Sequence, residues 1–106
     1  MSVPLVDILS LSGALFALGI FGVLTRRNFI LILISVEVIT NAAILNFIAF
    51  SAYAPGPSIL GVTGQAVAVV LVGLAATEVA VGLAIVLALN RVRGSVDVAK
   101  AMDLKL

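Results

Sequence analysis

The sequence has no cysteine, no histidine and no tryptophan in its 106 residues. Without thiolate or imidazole groups, the chain cannot form disulfides, ligate zinc or haem through those side chains, or use a cysteine nucleophile. Lysine and arginine are missing from every long apolar run, which excludes a Schiff-base lysine there. We therefore predict that this chain holds no metal, no cofactor and no catalytic residue, and that any bond-making chemistry linked to it takes place on other chains.

Charged residues are also scarce. They make up 10% of the chain, and hydrophobic residues make up 63%; a soluble domain has about 25% and about 45–50%, respectively. This composition predicts a single membrane domain over residues 1–106, with the lipid bilayer as one partner. The net charge of +1 offers no basic footprint, so nucleic acid is not an expected partner.

Three long apolar runs predict an all-α integral membrane protein. We place the spans at about residues 5–25, 28–50 and 63–89, followed by a tail at 90–106. Each span is long enough to cross a membrane, since a helix of ~17–25 residues crosses a hydrocarbon core of ~30 Å. The first run lacks the basic start of a signal peptide. The expected fold is an antiparallel bundle of three transmembrane helices packed against partner subunits.

All lysines and arginines fall on one side of this topology: Arg26, Arg27, Arg91, Arg93, Lys100 and Lys105. The positive-inside rule therefore predicts a cytoplasmic first loop and C-terminal tail, with the N-terminus and residues 51–64 outside. The expected location is a bacterial or archaeal inner membrane, with an organelle membrane as the alternative. Two roles stay open for Arg26 and Arg27. They either set the membrane topology and contact lipid headgroups, or they form a salt bridge to a partner subunit.

Two glutamates lie inside the predicted spans. Glu37 is the only charged residue of the second span, and Glu78 is the only one of the third. Counting along the helices from Asn28 and Leu89 puts them ~14 Å and ~17 Å from the cytoplasmic ends, near the bilayer midplane. An ionisable side chain at that depth costs roughly 2.5–3.5 kcal/mol on insertion scales, and neither span supplies a cation to pair with it.

Two interpretations account for this cost. Desolvation disfavours the charged form of a carboxylic acid, so both groups can stay protonated and hydrogen-bond across helix interfaces as structural contacts. Alternatively, a carboxylic acid whose ionisation responds to its surroundings can load and release a proton. Because an intramembrane carboxyl indicates function by default, the second interpretation is favoured.

Polar neighbours of Glu37 divide between two faces of its helix. Thr40 and Asn41 share its face and are predicted to support a polar path. Ser35 and Asn46 lie about 160–180° away around the helix, and Asn46 is predicted to hydrogen-bond between helices. On the third span, alanines at four-residue spacing indicate a close helix contact: Ala76, Ala80, Ala84 and Ala88.

Several stretches carry a family resemblance: LFALGIFGVLTRRN, SVEVITNAAILNF, GQAVAVVLVGLAATEVAVGLAIVLAL and a closing R-G-S-V-D. They resemble subunit K of NADH–quinone oxidoreductase, the three-helix membrane subunit of respiratory complex I and its relatives. The resemblance covers nearly the whole chain, and the paired glutamates with RRN before the second span make it specific.

The resemblance implies a place in a proton-pumping membrane arm, beside other membrane-arm subunits that include antiporter-like ones. The family glutamates that match Glu37 and Glu78 belong to a hydrated chain of charged residues, and the loop arginines that match Arg26 and Arg27 support it from the cytoplasmic side. The implied activity is proton-translocating NADH:quinone oxidoreductase, with flavin, iron–sulfur clusters and quinone on other subunits.

Two features depart from the family pattern. The family commonly has asparagine seven residues after the second-helix glutamate, where this chain has Ile44. If that asparagine helps to hold water, the outward side of the path is drier in this protein. The link at residues 51–64 is longer and richer in proline and glycine than the usual one, and we expect it to alter only contacts on the outer side.

Two alternative functions stay open. One is the related small three-helix component, of the C type, of a multisubunit sodium/proton antiporter, although we expect the third helix of that protein to lack the glutamate that matches Glu78. The other is a structural scaffold whose glutamates stay protonated. The electron donor, the acceptor and the choice between proton and sodium also stay open.

Overall fold

The computed structural model describes residues 2–54 and 59–99. It has three helices, α1 (Leu5–Thr25), α2 (Phe29–Ala52) and α3 (Ile59–Arg93). All three are long and apolar enough to cross a membrane. The prediction of a three-helix, all-α, multi-pass membrane protein is therefore confirmed.

Helix bounds differ from the predicted spans mainly at the outer link. Because α2 continues to Ala52 and α3 begins at Ile59, most of residues 51–64 are helical and the link is shorter than predicted. The link has prolines at positions 55 and 57, and proline is a residue type that interrupts helices. The rest of the predicted link and tail, residues 55–58 and 100–106, lies outside the described residues, as do Lys100 and Lys105.

The middle helix, α2, separates the other two. It packs against both α1 and α3, which do not pack along each other in the described part of the chain. Ser35 faces α1, whereas Leu33 and Ile44 face α3, and the helical period puts these two sets on nearly opposite sides of α2. Only 11% of the residues in each apolar span are buried within the chain. The remaining apolar surface must be covered by lipid or by partner subunits.

Small residues let α1 approach α2 closely. A Cβ built on Gly19 would lie 2.9 Å from the Ser35 carbonyl oxygen, and one built on Gly22 would overlap the Ser35 hydroxyl. Ser12, which is 1% exposed, donates its hydroxyl hydrogen to the Ala42 carbonyl oxygen at 2.9 Å. The two helices thus approach closely at these glycines, and the contact tolerates no larger side chain at position 19.

Asn46 also lies on the α1 side of α2, as the helical period predicts. Together with Ser12 it lines a cavity of about 340 Å³ between the two helices. Its Oδ1 atom is buried and has no hydrogen-bond partner among the described residues. The predicted bond between helices is therefore not formed through that atom.

The buried centre of the contact between α2 and α3 is apolar. Ala68 and Ala75, each 3% exposed, form a cluster with Ile44 and the partly buried Leu71. These residues of α3 follow the spacing of a single helix face. The alanine row that indicated a close helix contact is exposed instead: Ala76, Ala80, Ala84 and Ala88. This row does not meet α2. Its first member, Ala76, follows Ala75 by one residue and is therefore rotated about 100° around the helix from the face that contacts α2.

The first loop and the start of the tail pair with each other. The Phe29 N–H donates to the Val96 carbonyl oxygen at 2.9 Å, and the Val98 N–H donates to the Arg27 carbonyl oxygen at 2.7 Å. Together these bonds form an isolated antiparallel bridge. We call this pairing of residues 27–29 with residues 96–98 the clasp. It ties the end of α3 to the loop between α1 and α2.

Two residues set the geometry of the clasp. Gly94 has a φ of 69°, and its N–H donates to the Asn90 carbonyl oxygen at 2.7 Å, which ends α3 and turns the chain back. Asn28 caps the start of α2, where its Oδ1 accepts the Ile30 N–H at 2.8 Å.

Replacing Gly94 with alanine is expected to loosen the clasp. An L-residue in this left-handed conformation costs about 1–2 kcal/mol, which corresponds to roughly 5–30-fold in a local opening equilibrium. Hydrogen exchange of the Phe29 and Val98 amides should accelerate by about that factor. Gly73→Ala is the matched control, because a Cβ at Gly73 meets nothing within 4 Å. Equal exchange in the two variants would contradict the role assigned to Gly94.

Candidate functional site

Glu37 lies at the contact between α2 and α3. Its partly buried side chain lines a groove of about 290 Å³ between these helices. Every other lining residue is apolar: Ile30, Leu33, Ile34, Val38, Val79 and Leu83. Among the described residues, Glu37 is thus the one ionisable residue that lines this groove, and it lies between two packed helices rather than on a loop.

The two predicted supporting residues have different surroundings. Asn41 Nδ2 donates to Glu37 Oε1 at 3.5 Å, which is at the long limit for such a bond. Thr40 Oγ1 donates to the Val36 carbonyl oxygen at 3.1 Å, so its hydrogen is used within its own helix. The structure brings Asn41 to the carboxyl and leaves the hydroxyl oxygen of Thr40 as an acceptor only.

Glu78 lies beside the groove and not in it. Its neighbour Val79 lines the same groove as Glu37, so the two carboxyl-bearing residues are at the same level of the α2–α3 contact. Glu78 is exposed, and it has no hydrogen bond or ion pair with the described residues.

Arg26 and Arg27 lie in the first loop, and both side chains are exposed. Arg26 caps α1 through its backbone N–H, which donates to the Gly22 carbonyl oxygen at 3.1 Å. Arg27 contributes its carbonyl oxygen to the clasp. Ten residues of mostly helical chain separate Arg27 from Glu37, roughly 15 Å along the axis. Neither arginine therefore pairs with the intramembrane carboxyl.

Sequence reasoning missed the clasp and the α1–α2 contact. A glycine directly after the basic end of α3, at position 94, is a signal for a helix stop. Likewise, Ser12, Gly19 and Gly22 share one helix face, a pattern that favours close helix approach. Neither pattern identifies the segment that the helix or loop contacts. Only the structure shows it.

Comparison with known proteins places this arrangement in a family. The model of NADH-ubiquinone/plastoquinone oxidoreductase chain 4L matches residues 7–105. The chain belongs to this family. The resemblance of the four sequence stretches is therefore confirmed.

Individual members of the chain 4L family are similar to this chain over nearly their whole length. NADH-quinone oxidoreductase subunit K of Syntrophotalea carbinolica is 47% identical over 98 residues, 92% of each chain. Subunit K 1 of Syntrophobacter fumaroxidans is 44% identical over 98 residues, also 92% of each. Subunit K of Bacillus anthracis is 44% identical over 104 residues, 98% of this chain and 97% of that one.

Proposed function

We propose that this chain is a membrane-arm subunit of a complex I-like NADH:quinone oxidoreductase and takes part in redox-coupled proton translocation through Glu37 and Glu78. The observation that carries the proposal is Glu37, an ionisable residue whose side chain lines an otherwise apolar groove between two packed helices of a chain 4L family member. The chain acts as a non-redox subunit of this translocase, while flavin, iron–sulfur clusters and quinone lie on other subunits.

In the proposed mechanism, redox chemistry elsewhere rearranges charge along the membrane arm. Charges interact strongly in this setting, because the effective dielectric constant of a membrane interior is low. A change of nearby charge makes Glu37 take up or release a proton, and the Asn41 amide stabilises the carboxylate when the proton has left. Glu78 exchanges protons with a neighbouring subunit through transient water, since its side chain is exposed on this chain.

The surroundings of the chain follow from this role. Other membrane-arm subunits, antiporter-like ones among them, cover the exposed face of α3 that bears Glu78, and lipid covers much of the rest. The N-terminus lies outside the cytoplasm, and the first loop, with Arg26 and Arg27, lies on the cytoplasmic side. These arginines support the site from that surface and do not contact Glu37.

The test is the proton-to-electron ratio in vesicles that hold the assembled complex. We expect Glu37→Gln and Glu78→Gln to assemble and to lose proton-coupled activity. Asp7→Asn, which neutralises an exposed carboxyl in the first turn of α1, is the matched control and should pump at the wild-type ratio. If both glutamine variants also pump at that ratio, the glutamates are structural contacts and the chain is a scaffold.

A further inference from the structure

The contact between α2 and α3 contains cavities on both sides of Ile44. The groove of Glu37 is lined on α2 only by residues that precede Ile44 in the chain. Two further cavities, of about 450 and 280 Å³, are lined on α2 only by residues that follow it. The residues that line these two cavities include Ser51, Thr63 and Gln65.

Ile44 separates these two sets of cavities. It follows Glu37 by seven residues on the same helix face, so it lies ~10 Å farther from the first loop. Its side chain is 5% exposed and packs with Ala68, Leu71 and Ala75. No side chain of this cluster carries a polar atom, so the packed contact offers water no hydrogen-bond partner.

We propose that Ile44, packed against Ala68, Leu71 and Ala75, is a dry barrier that separates Glu37 from the outer cavities of the α2–α3 contact. Protons then reach Glu37 from the side of the first loop or from a neighbouring subunit, and do not leave outward between α2 and α3. This inference rests on the proposed function, because the barrier affects pumping only if Glu37 carries protons. An open outward path beside such a carboxyl would let pumped protons return.

The first experiment measures passive proton leak into vesicles holding the assembled complex, without turnover. Ile44→Asn places an amide between the two sets of cavities and should raise the leak on the order of 10-fold, a barrier lower by about 1.4 kcal/mol. Ile44→Thr is run in parallel, since it keeps the β-branched shape and places less polarity in the barrier. Ala43→Asn is the matched control, because Ala43 lines the cavity on the α1 side of α2.

A second readout uses the absence of cysteine from this chain. Val38→Cys places a thiol in the groove of Glu37, and Ile48→Cys places one in an outer cavity. A membrane-impermeant thiol reagent added from the outer side should label position 48 and not position 38. Adding Ile44→Asn should make position 38 reactive from that side.

The outcomes separate this inference from the proposed function. A leak in Ile44→Asn that disappears when Glu37→Gln is added supports both, because the path then runs through the carboxyl. A leak that persists with Glu37→Gln supports the barrier and counts against Glu37 as the carrier. If Ile44→Asn and Ile44→Thr leak no more than Ala43→Asn, or if position 38 is labelled from outside with Ile44 intact, the barrier is refuted.

Discussion

Replacing Glu37 with glutamine is expected to lower proton-coupled turnover by about 100-fold or more, the lower bound for a positioned proton-transfer group. Glutamine keeps the length and shape of the side chain in the α2–α3 groove. It can still accept a hydrogen bond from Asn41 through its amide oxygen, so the helices should pack as before. What it loses is the ability to exchange a proton, and the loss should therefore appear in coupling rather than in assembly.

The measurement combines electron-transfer rate, proton pumping and the amount of assembled complex in the same vesicles. Glu37→Asp is the rescue variant, since it retains an ionisable group with a shorter reach, and it should recover part of the coupled rate. Loss of assembly in Glu37→Gln, with normal coupling in whatever complex remains, would show that the carboxyl serves packing and not proton transfer.

Gly19→Val is expected to separate α1 from α2 and to destabilise the subunit by about 1–3 kcal/mol or more, the range for overpacking a close contact. A Cβ at this position would lie 2.9 Å from the Ser35 carbonyl oxygen and 3.1 Å from the Ile39 amide nitrogen. These are backbone atoms of α2, so no rotamer change can relieve the overlap. The helices must move apart, which also weakens the bond from Ser12 to Ala42.

Thermal stability of the assembled complex and the retained amount of this subunit are the measurements. Gly13→Val is the matched control on the same helix, because a Cβ built at Gly13 meets nothing within 4 Å. The two substitutions change helix propensity equally, so the difference between them isolates the contact at position 19. Equal stability of the two variants would mean that α1 and α2 do not approach closely at Gly19.

Much of the fold was predictable because membrane insertion imposes local rules. Each span must satisfy its backbone hydrogen bonds internally, so apolar length alone predicts a helix, and α1 at Leu5–Thr25 lies where a span was predicted at about residues 5–25. Helical period likewise predicted that Ser35 and Glu37 lie on different faces of α2. The ends of α3 were less predictable, since no proline interrupts the helix between Ile59 and Arg93.

The candidate site was predicted in part. Asn41, four residues after Glu37 and predicted to share its face, has its Nδ2 atom 3.5 Å from Glu37 Oε1. Its part in a polar path stays a prediction. The same argument for Thr40 did not account for the Val36 carbonyl oxygen, which competes for its hydroxyl hydrogen within the helix. Spacing along a helix predicts which side chains are neighbours, but not which acceptor a hydroxyl uses.

The sequence by itself determined that the chain has three membrane helices, where two carboxyls lie along them, and which family the chain resembles. Only the tertiary structure decided that Glu37 lies at the α2–α3 contact, that Glu78 is exposed beside it, and that Ile44 lies between the outer cavities and the groove of Glu37. The physical reason is that lipid is as apolar as a helix interface. Hydropathy therefore cannot tell a lipid-facing surface from a packed one, and the choice depends on the shapes that small residues such as Gly19 and Ala75 create.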